Sequence, residues 1–91
     1  MALDQSQIEK IIRIAKDYGA KRLILFGSSL HGLIPARDID LGCDGVPGWK
    51  LYEFGSRLEE ELHTSLDLVP LSPPTRFTKL IETKGRVLYE G

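Results

Sequence analysis

The chain has 91 residues, of which 12 are basic and 13 acidic; 42% are hydrophobic and 27% charged, for a formal net charge of -1. That length has room for one small core and no second one, and the composition is that of a folded chain, not a disordered one. A charge near zero gives no general electrostatic attraction to nucleic acid, and no apolar run approaches the ~20 residues that a membrane span needs.

In chain order, Asp4 and Ser6 are each followed three residues on by Gln7 and Glu9, the pattern of a helix N-cap with a capping box. Ile8, Ile11, Ile12, Ala15 and Tyr18 then recur at helical spacing, with Glu9, Lys10, Arg13, Lys16 and Asp17 opposite and Gly19 as a natural stop. Lys21 to Phe26 reads as a first strand, apolar enough to be buried on both faces. It breaks into Gly27-Ser28, where a short helix or turn reaching Gly32 is expected, and Pro35 keeps the connector Leu33 to Ala36 from becoming helical. Arg37 to Cys43 is the second strand, with the single cysteine, Cys43, as a small buried hydrophobe.

Asp44-Gly45-Val46-Pro47-Gly48 is a turn. A helix from about Trp49 to His63 follows, with Leu51, Phe54, Leu58 and Leu62 as its apolar stripe and Glu59-Glu60-Glu61 as its solvated face. Trp49, Tyr52 and Phe54 read as core, the alternative being a face for a partner. His63 falls near the helix C-terminus, where its charge suits the dipole. Ser65 to Leu71 is the third strand, and Ser72-Pro73 is an N-cap and first-turn pair opening a helix with Phe77, Leu80 and Ile81 that stops at Gly85. Arg86 to Tyr89 completes the chain as an edge strand. The order predicts an α/β (α+β) fold over residues 1–91 as a single domain: a small mixed sheet of about four strands with helices packed against it.

The chemistry-bearing residues lie on those strands. Asp38 and Asp40 are two apart, so their side chains share a face while Ile39 and Leu41 point away. Aspartate is depleted in strands, and two on one face repel unless a cation sits between them. Asp67, within Leu66-Asp67-Leu68, supplies a third carboxylate if the third strand lies beside the second in register. Three carboxylates on rigid strands suit Mg2+, a hard ion that takes oxygen ligands. Two such ions about 3.5–4 Å apart can clamp the attacking and leaving oxygens of an in-line phosphoryl displacement. Gly27-Ser28, where a strand's backbone N–H groups become free, could hold phosphates. The plainer alternatives are water-exposed strand-end carboxylates for Asp38 and Asp40, an arginine-paired or helix-capping Asp67, a turn role for Ser28 and a loop histidine for His31.

Together Phe26-Gly27-Ser28, Asp38-Ile39-Asp40-Leu41 and Leu66-Asp67-Leu68 resemble the three-part motif of the DNA polymerase β-like nucleotidyltransferases. The length and the ending Ile81-Glu82-Thr83-Lys84-Gly85-Arg86-Val87-Leu88-Tyr89-Glu90 are similar to the minimal nucleotidyltransferases (MNT), which are the catalytic core alone, many of them antitoxins paired with a HEPN-domain toxin. The resemblance implies a polymerase β palm-like core and a Mg2+-dependent transfer of a nucleoside monophosphate, AMP from ATP, to a hydroxyl on such a partner. It implies that Asp38 and Asp40 bind the metal ions that hold the triphosphate. Asp67 would touch the second metal ion and help deprotonate the acceptor, and Gly27, Ser28, Ser29 and Arg37 would form the nucleotide side. With no charged-then-apolar opening segment and no apolar run long enough for a membrane, the cytoplasm is the default expectation, and the choice between a homo- and a hetero-oligomer is open.

The pattern departs from the family at two places. Members often carry Arg-Ala-Arg-Gly after Gly-Ser, where this chain has Ser29-Leu30-His31-Gly32, and often carry Ser where this chain has Arg37. Two positive charges toward a triphosphate are thereby missing, and Arg37 either replaces part of that charge or caps the carboxylates. The alternative function is a non-catalytic antitoxin subunit that binds and masks a HEPN-type toxin.

Overall fold

A computed structural model describes residues 4–27 and 38–91. Helix α1 (Gln5–Asp17) starts at the first of the two overlapping caps. The Asp4 carboxylate accepts from the Gln7 N–H at 2.8 Å, and the Asp4 N–H donates back to the Gln7 side chain at 3.0 Å, so both halves of the capping box close. Ile8, Ile11, Ile14 and Ala15 bury one face. Gly19 leaves the helix through the left-handed region, at φ +75°.

Strands β1 (Arg22–Phe26), β2 (Asp38–Asp44), β3 (Ser65–Pro70) and β4 (Arg86–Glu90) form one sheet in the order β3-β2-β1-β4. β1 runs antiparallel to β2 and β4, while β2 and β3 are parallel. The parallel pair needs a long crossover, and helix α2 (Gly48–Leu62) makes it. With helix α3 (Arg76–Lys84) joining β3 to β4, the described residues form three helices and a mixed sheet, and β4 is an edge strand as expected.

β1 lies inside the sheet and is apolar on both faces: Leu23 and Leu25 pack toward α1 and α2, Ile24 and Phe26 toward α3. The larger core lies under α1 and α2, where Ile11, Ile14, Leu23, Leu41, Phe54 and Leu58 are buried, with Tyr18 stacked on Phe54 at a centroid distance of 5.2 Å. The opposite face has a smaller core of Ile24, Leu71 and Ile81. It depends on Gly42, where a Cβ would meet Leu71 Cδ2 at 2.8 Å and Ile81 Cγ2 at 3.1 Å. An Arg22–Glu82 ion pair ties α3 to β1, and Arg57–Asp17, at 3.3 Å, ties α2 to α1.

Three expectations are corrected. α3 begins at Arg76 behind Thr75, not at Ser72-Pro73, because Pro73 precedes Pro74 and a residue before proline is kept out of the helical region. Thr75 and Thr78 close the capping box instead, at 2.7 and 3.1 Å. Trp49 and Tyr52 are not core: they are 78% and 85% exposed, while Phe54 is fully buried. At 100° per residue Trp49 sits about 180° and Tyr52 about 120° round α2 from the middle of the stripe of Phe54, Leu58 and Leu62. Glu59 is not simply solvated, since its carboxylate accepts the Leu66 N–H at 3.0 Å and so satisfies a backbone donor of the edge strand β3.

Cys43 is buried, as its sequence setting suggests. Burial pushes its thiol up from 9.0 to about 11, a backbone hydrogen bond from Val46 lowers it somewhat, and the Asp44 charge raises it further. The thiol stays protonated, so iodoacetamide at pH 8 is expected to label Cys43 only once denaturant is added; labelling of the folded chain would contradict this burial. Because the folded-state value is raised, the associated stability is complete below pH 9 and is lost as pH rises toward 11. Cys43→Ala should flatten that alkaline decline in urea melts.

Candidate functional site

A single row across the sheet carries the candidate chemistry. Phe26 on β1 pairs with Asp40 on β2, and Asp40 pairs in turn with Asp67 on β3. Residues directly opposite one another project from the same face of a sheet, so Phe26, Asp40 and Asp67 all lie on the side that carries α3. Neighbouring strands put the Cα atoms of Asp40 and Asp67 about 4.8 Å apart. The register that the sequence left conditional is thus met. Asp38 opens β2 opposite Ser65, and its side chain lies outside the described residues.

Asp40 is half-buried and Asp67 exposed. Their alignment is fixed by the hydrophobic register of Ile39 with Leu66 and Leu41 with Leu68, which face the core. The donor set is carboxylate oxygen on rigid backbone, which fits Mg2+ and gives no preference to a softer metal. Among the described residues no group of three or more His, Cys, Asp or Glu side chains is placed to hold a metal ion; two of the three expected carboxylates fall within them.

Gly27 follows Phe26 directly and turns with φ +78°, a conformation that costs any residue with a Cβ. A Cβ there would also press on the Asp40 side chain, 3.2 Å from its Cγ. The turn backbone therefore lies against the Asp40 carboxylate. Of the expected nucleotide-side residues, Gly27 is beside the carboxylates, whereas Ser28, Ser29 and Arg37, together with His31, lie outside the described residues.

From the sequence Phe77 reads only as an apolar residue of its helix, not as part of the site. This residue, in the first turn of α3, meets Phe26 edge-on with ring centroids 5.7 Å apart and planes at 82°, yet remains 51% exposed. Fifty-one positions separate the two rings in the chain, and local periodicity carries no information over that distance. A separate cleft of about 370 Å³ runs between α2 and the outer edge of β3, lined by Leu51, Tyr52, Gly55, Leu66 and Leu68 and reaching Asp67. Leu66 and Leu68 face the α1–α2 core, opposite to the Asp67 carboxylate, so the cleft opens behind the carboxylate row. None of the described helices is long and apolar enough to cross a membrane.

This fold, a mixed sheet in the order β3-β2-β1-β4 with helices on both faces, is shared with chains of solved toxin–antitoxin complexes. Among solved structures, the MntA–HepT toxin–antitoxin complex has a chain that matches with TM-score 0.75 and 22% identity, over 97% of this chain and 74% of that one. A toxin–antitoxin structure with AMP-PNP matches with TM-score 0.78 and 24% identity, over 92% and 73%. The MNT antitoxin in complex with a tri-AMPylated HEPN toxin of Shewanella oneidensis matches with TM-score 0.76 and 23% identity, over 98% and 74%. No protein-family model matches the chain, and no curated protein matches it by sequence.

Proposed function

We propose that residues 1–91 form a minimal nucleotidyltransferase domain that moves AMP from ATP to a hydroxyl on a HEPN-type protein partner in the cytoplasm. The observation that carries this reading is the in-register pair Asp40–Asp67 with the Gly27 turn laid against Asp40. The neighbours support it: one is a toxin–antitoxin structure with AMP-PNP, and another is an MNT antitoxin in complex with a tri-AMPylated HEPN toxin.

In this reading Asp38, Asp40 and Asp67 hold Mg2+, which when bound supplies positive charge to the triphosphate and the departing pyrophosphate. Gly27 gives the phosphates a close approach to the backbone, and Ser28, Ser29 and Arg37 complete the nucleotide side. Asp67, on the outer strand, receives the proton of the acceptor hydroxyl. The acceptor oxygen bonds to the α-phosphorus, the bond from that phosphorus to the bridging oxygen of the pyrophosphate breaks, and pyrophosphate leaves. An open site with few recognition elements of its own suits an acceptor presented by a partner. The test is to incubate the chain with Mg2+, ATP labelled at the α-phosphate and a HEPN-domain protein encoded beside it. Label appearing on the partner, and lost on chelation, is expected; a partner that stays unlabelled under every divalent ion would sink the reading.

A second reading has the fold mask the toxin without chemistry. The segment Ser29-Leu30-His31-Gly32, which lacks the family's two arginines, favours it. Undiminished toxin neutralisation by the chain with Asp38, Asp40 and Asp67 all changed to Asn would decide for masking.

A further inference from the structure

Resting on the nucleotidyl-transfer reading, we infer that Phe77 is the base-stacking platform of the site, with Phe26 as its brace. The row across the sheet has a direction: Phe26, then Asp40, then Asp67. Asp67 ends it on the acceptor side. The other end is Phe26, adjacent in the chain to the Gly27 turn, so the aromatic pair stands on the phosphate side of the carboxylates. A nucleotide with its phosphates at Gly27 has its base within reach of an aromatic surface there.

Phe77 is built for that use and not for the core. Its edge contact with Phe26 fixes the ring, while half of its surface stays open to water. The helix beneath it is anchored three ways: by the Thr75–Thr78 capping box, by the buried Ile81 against Gly42, and by the Arg22–Glu82 ion pair. A flat apolar ring held rigidly in water is a poor contribution to stability, because its exposed face gains nothing from folding. It is a good surface for a purine, since stacking needs only a positioned π-face and loses little entropy when the ring is already ordered. Such a contact also offers binding free energy independent of the triphosphate, which matters in a chain that lacks the family's two arginines after Gly-Ser.

The experiment titrates Mg2+–AMP-PNP and Mg2+–tripolyphosphate into the wild type, Phe77→Ala and Phe77→Leu by calorimetry. Phe77→Leu keeps apolar bulk and removes the aromatic plane, and circular dichroism checks that all three chains are folded. Expected is a loss of about tenfold in AMP-PNP affinity for both variants, with tripolyphosphate affinity unchanged. Equal AMP-PNP affinity in wild type and both variants overturns the stacking role. So does an equal loss with tripolyphosphate, which would mean damage to the phosphate side. So does weakened binding of the HEPN-type partner with nucleotide affinity intact, which would make Phe77 a docking residue. A wild type that binds neither ligand, alone or with that partner, overturns the nucleotidyl-transfer reading itself, and the stacking role with it.

Discussion

Asp40→Asn is expected to cut nucleotidyl transfer by about a hundredfold or more, since charge stabilisation by a bound divalent ion is worth several kcal/mol in the transition state. Asn keeps the shape and one oxygen but removes the negative charge that, in the proposed reading, would hold the ion. Asp67→Asn should act in the same direction through the acceptor proton. Its effect on stability should be small. Asp67 is exposed on the outer strand, so its replacement by Asn should leave stability within about 0.5 kcal/mol of wild type. Activity falling while the melting temperature holds would show that Asp67 serves chemistry and not the fold. A melting temperature that drops along with activity would instead make Asp67 a structural residue. Label transfer and thermal melts on the same preparation separate the two outcomes.

The second large effect concerns Gly85, between α3 and β4. Its φ of -79° is ordinary, so any residue could adopt the backbone, but the space is taken. A Cβ would meet the Ile81 carbonyl oxygen at 2.6 Å and the Leu25 carbonyl oxygen at 2.9 Å, besides the Ile24 side chain. Backbone on two sides cannot give way, and the Gly85 N–H is itself bonded to Ile81 at 2.7 Å. Gly85→Ala is therefore expected to cost about 3 kcal/mol, the upper part of the range for overpacking. In a chain of this size that lowers the melting temperature by roughly 12–24 °C. Gly48→Ala is the control of opposite sign. Nothing lies within 4 Å of a Cβ at that position, and a less flexible unfolded chain should stabilise the protein by about 0.4–1 kcal/mol. If the two variants melt alike, the close packing of α3 on β1 is not what holds that junction.

The sequence by itself determined what local chemistry can determine. The Asp4 cap, the Gly19 stop, the apolar run of β1 and the alternation of Asp38-Ile39-Asp40-Leu41 each state their structure within a few residues, because capping, backbone freedom and strand periodicity are short-range effects. Three carboxylates on strands after Gly-Ser were enough to suggest the chemistry and the class of fold. What the sequence could not determine was register. Only the α2 crossover, which seats β3 parallel to β2, brings Asp67 opposite Asp40; one residue of slip would have turned Asp67 to the other face. The reach of Phe77 to Phe26 and the exposure of Trp49 and Tyr52 were likewise decided by tertiary packing. Two aromatics near a helix start read as core by composition, and the angle of α2 on the sheet, set by Phe54, Leu58 and Leu62, turned them to water. Gly42 was silent in the sequence and Gly85 legible only as a helix stop, for the same reason: a glycine needed for space, not for its φ, is visible only once the neighbour that fills the space is in place.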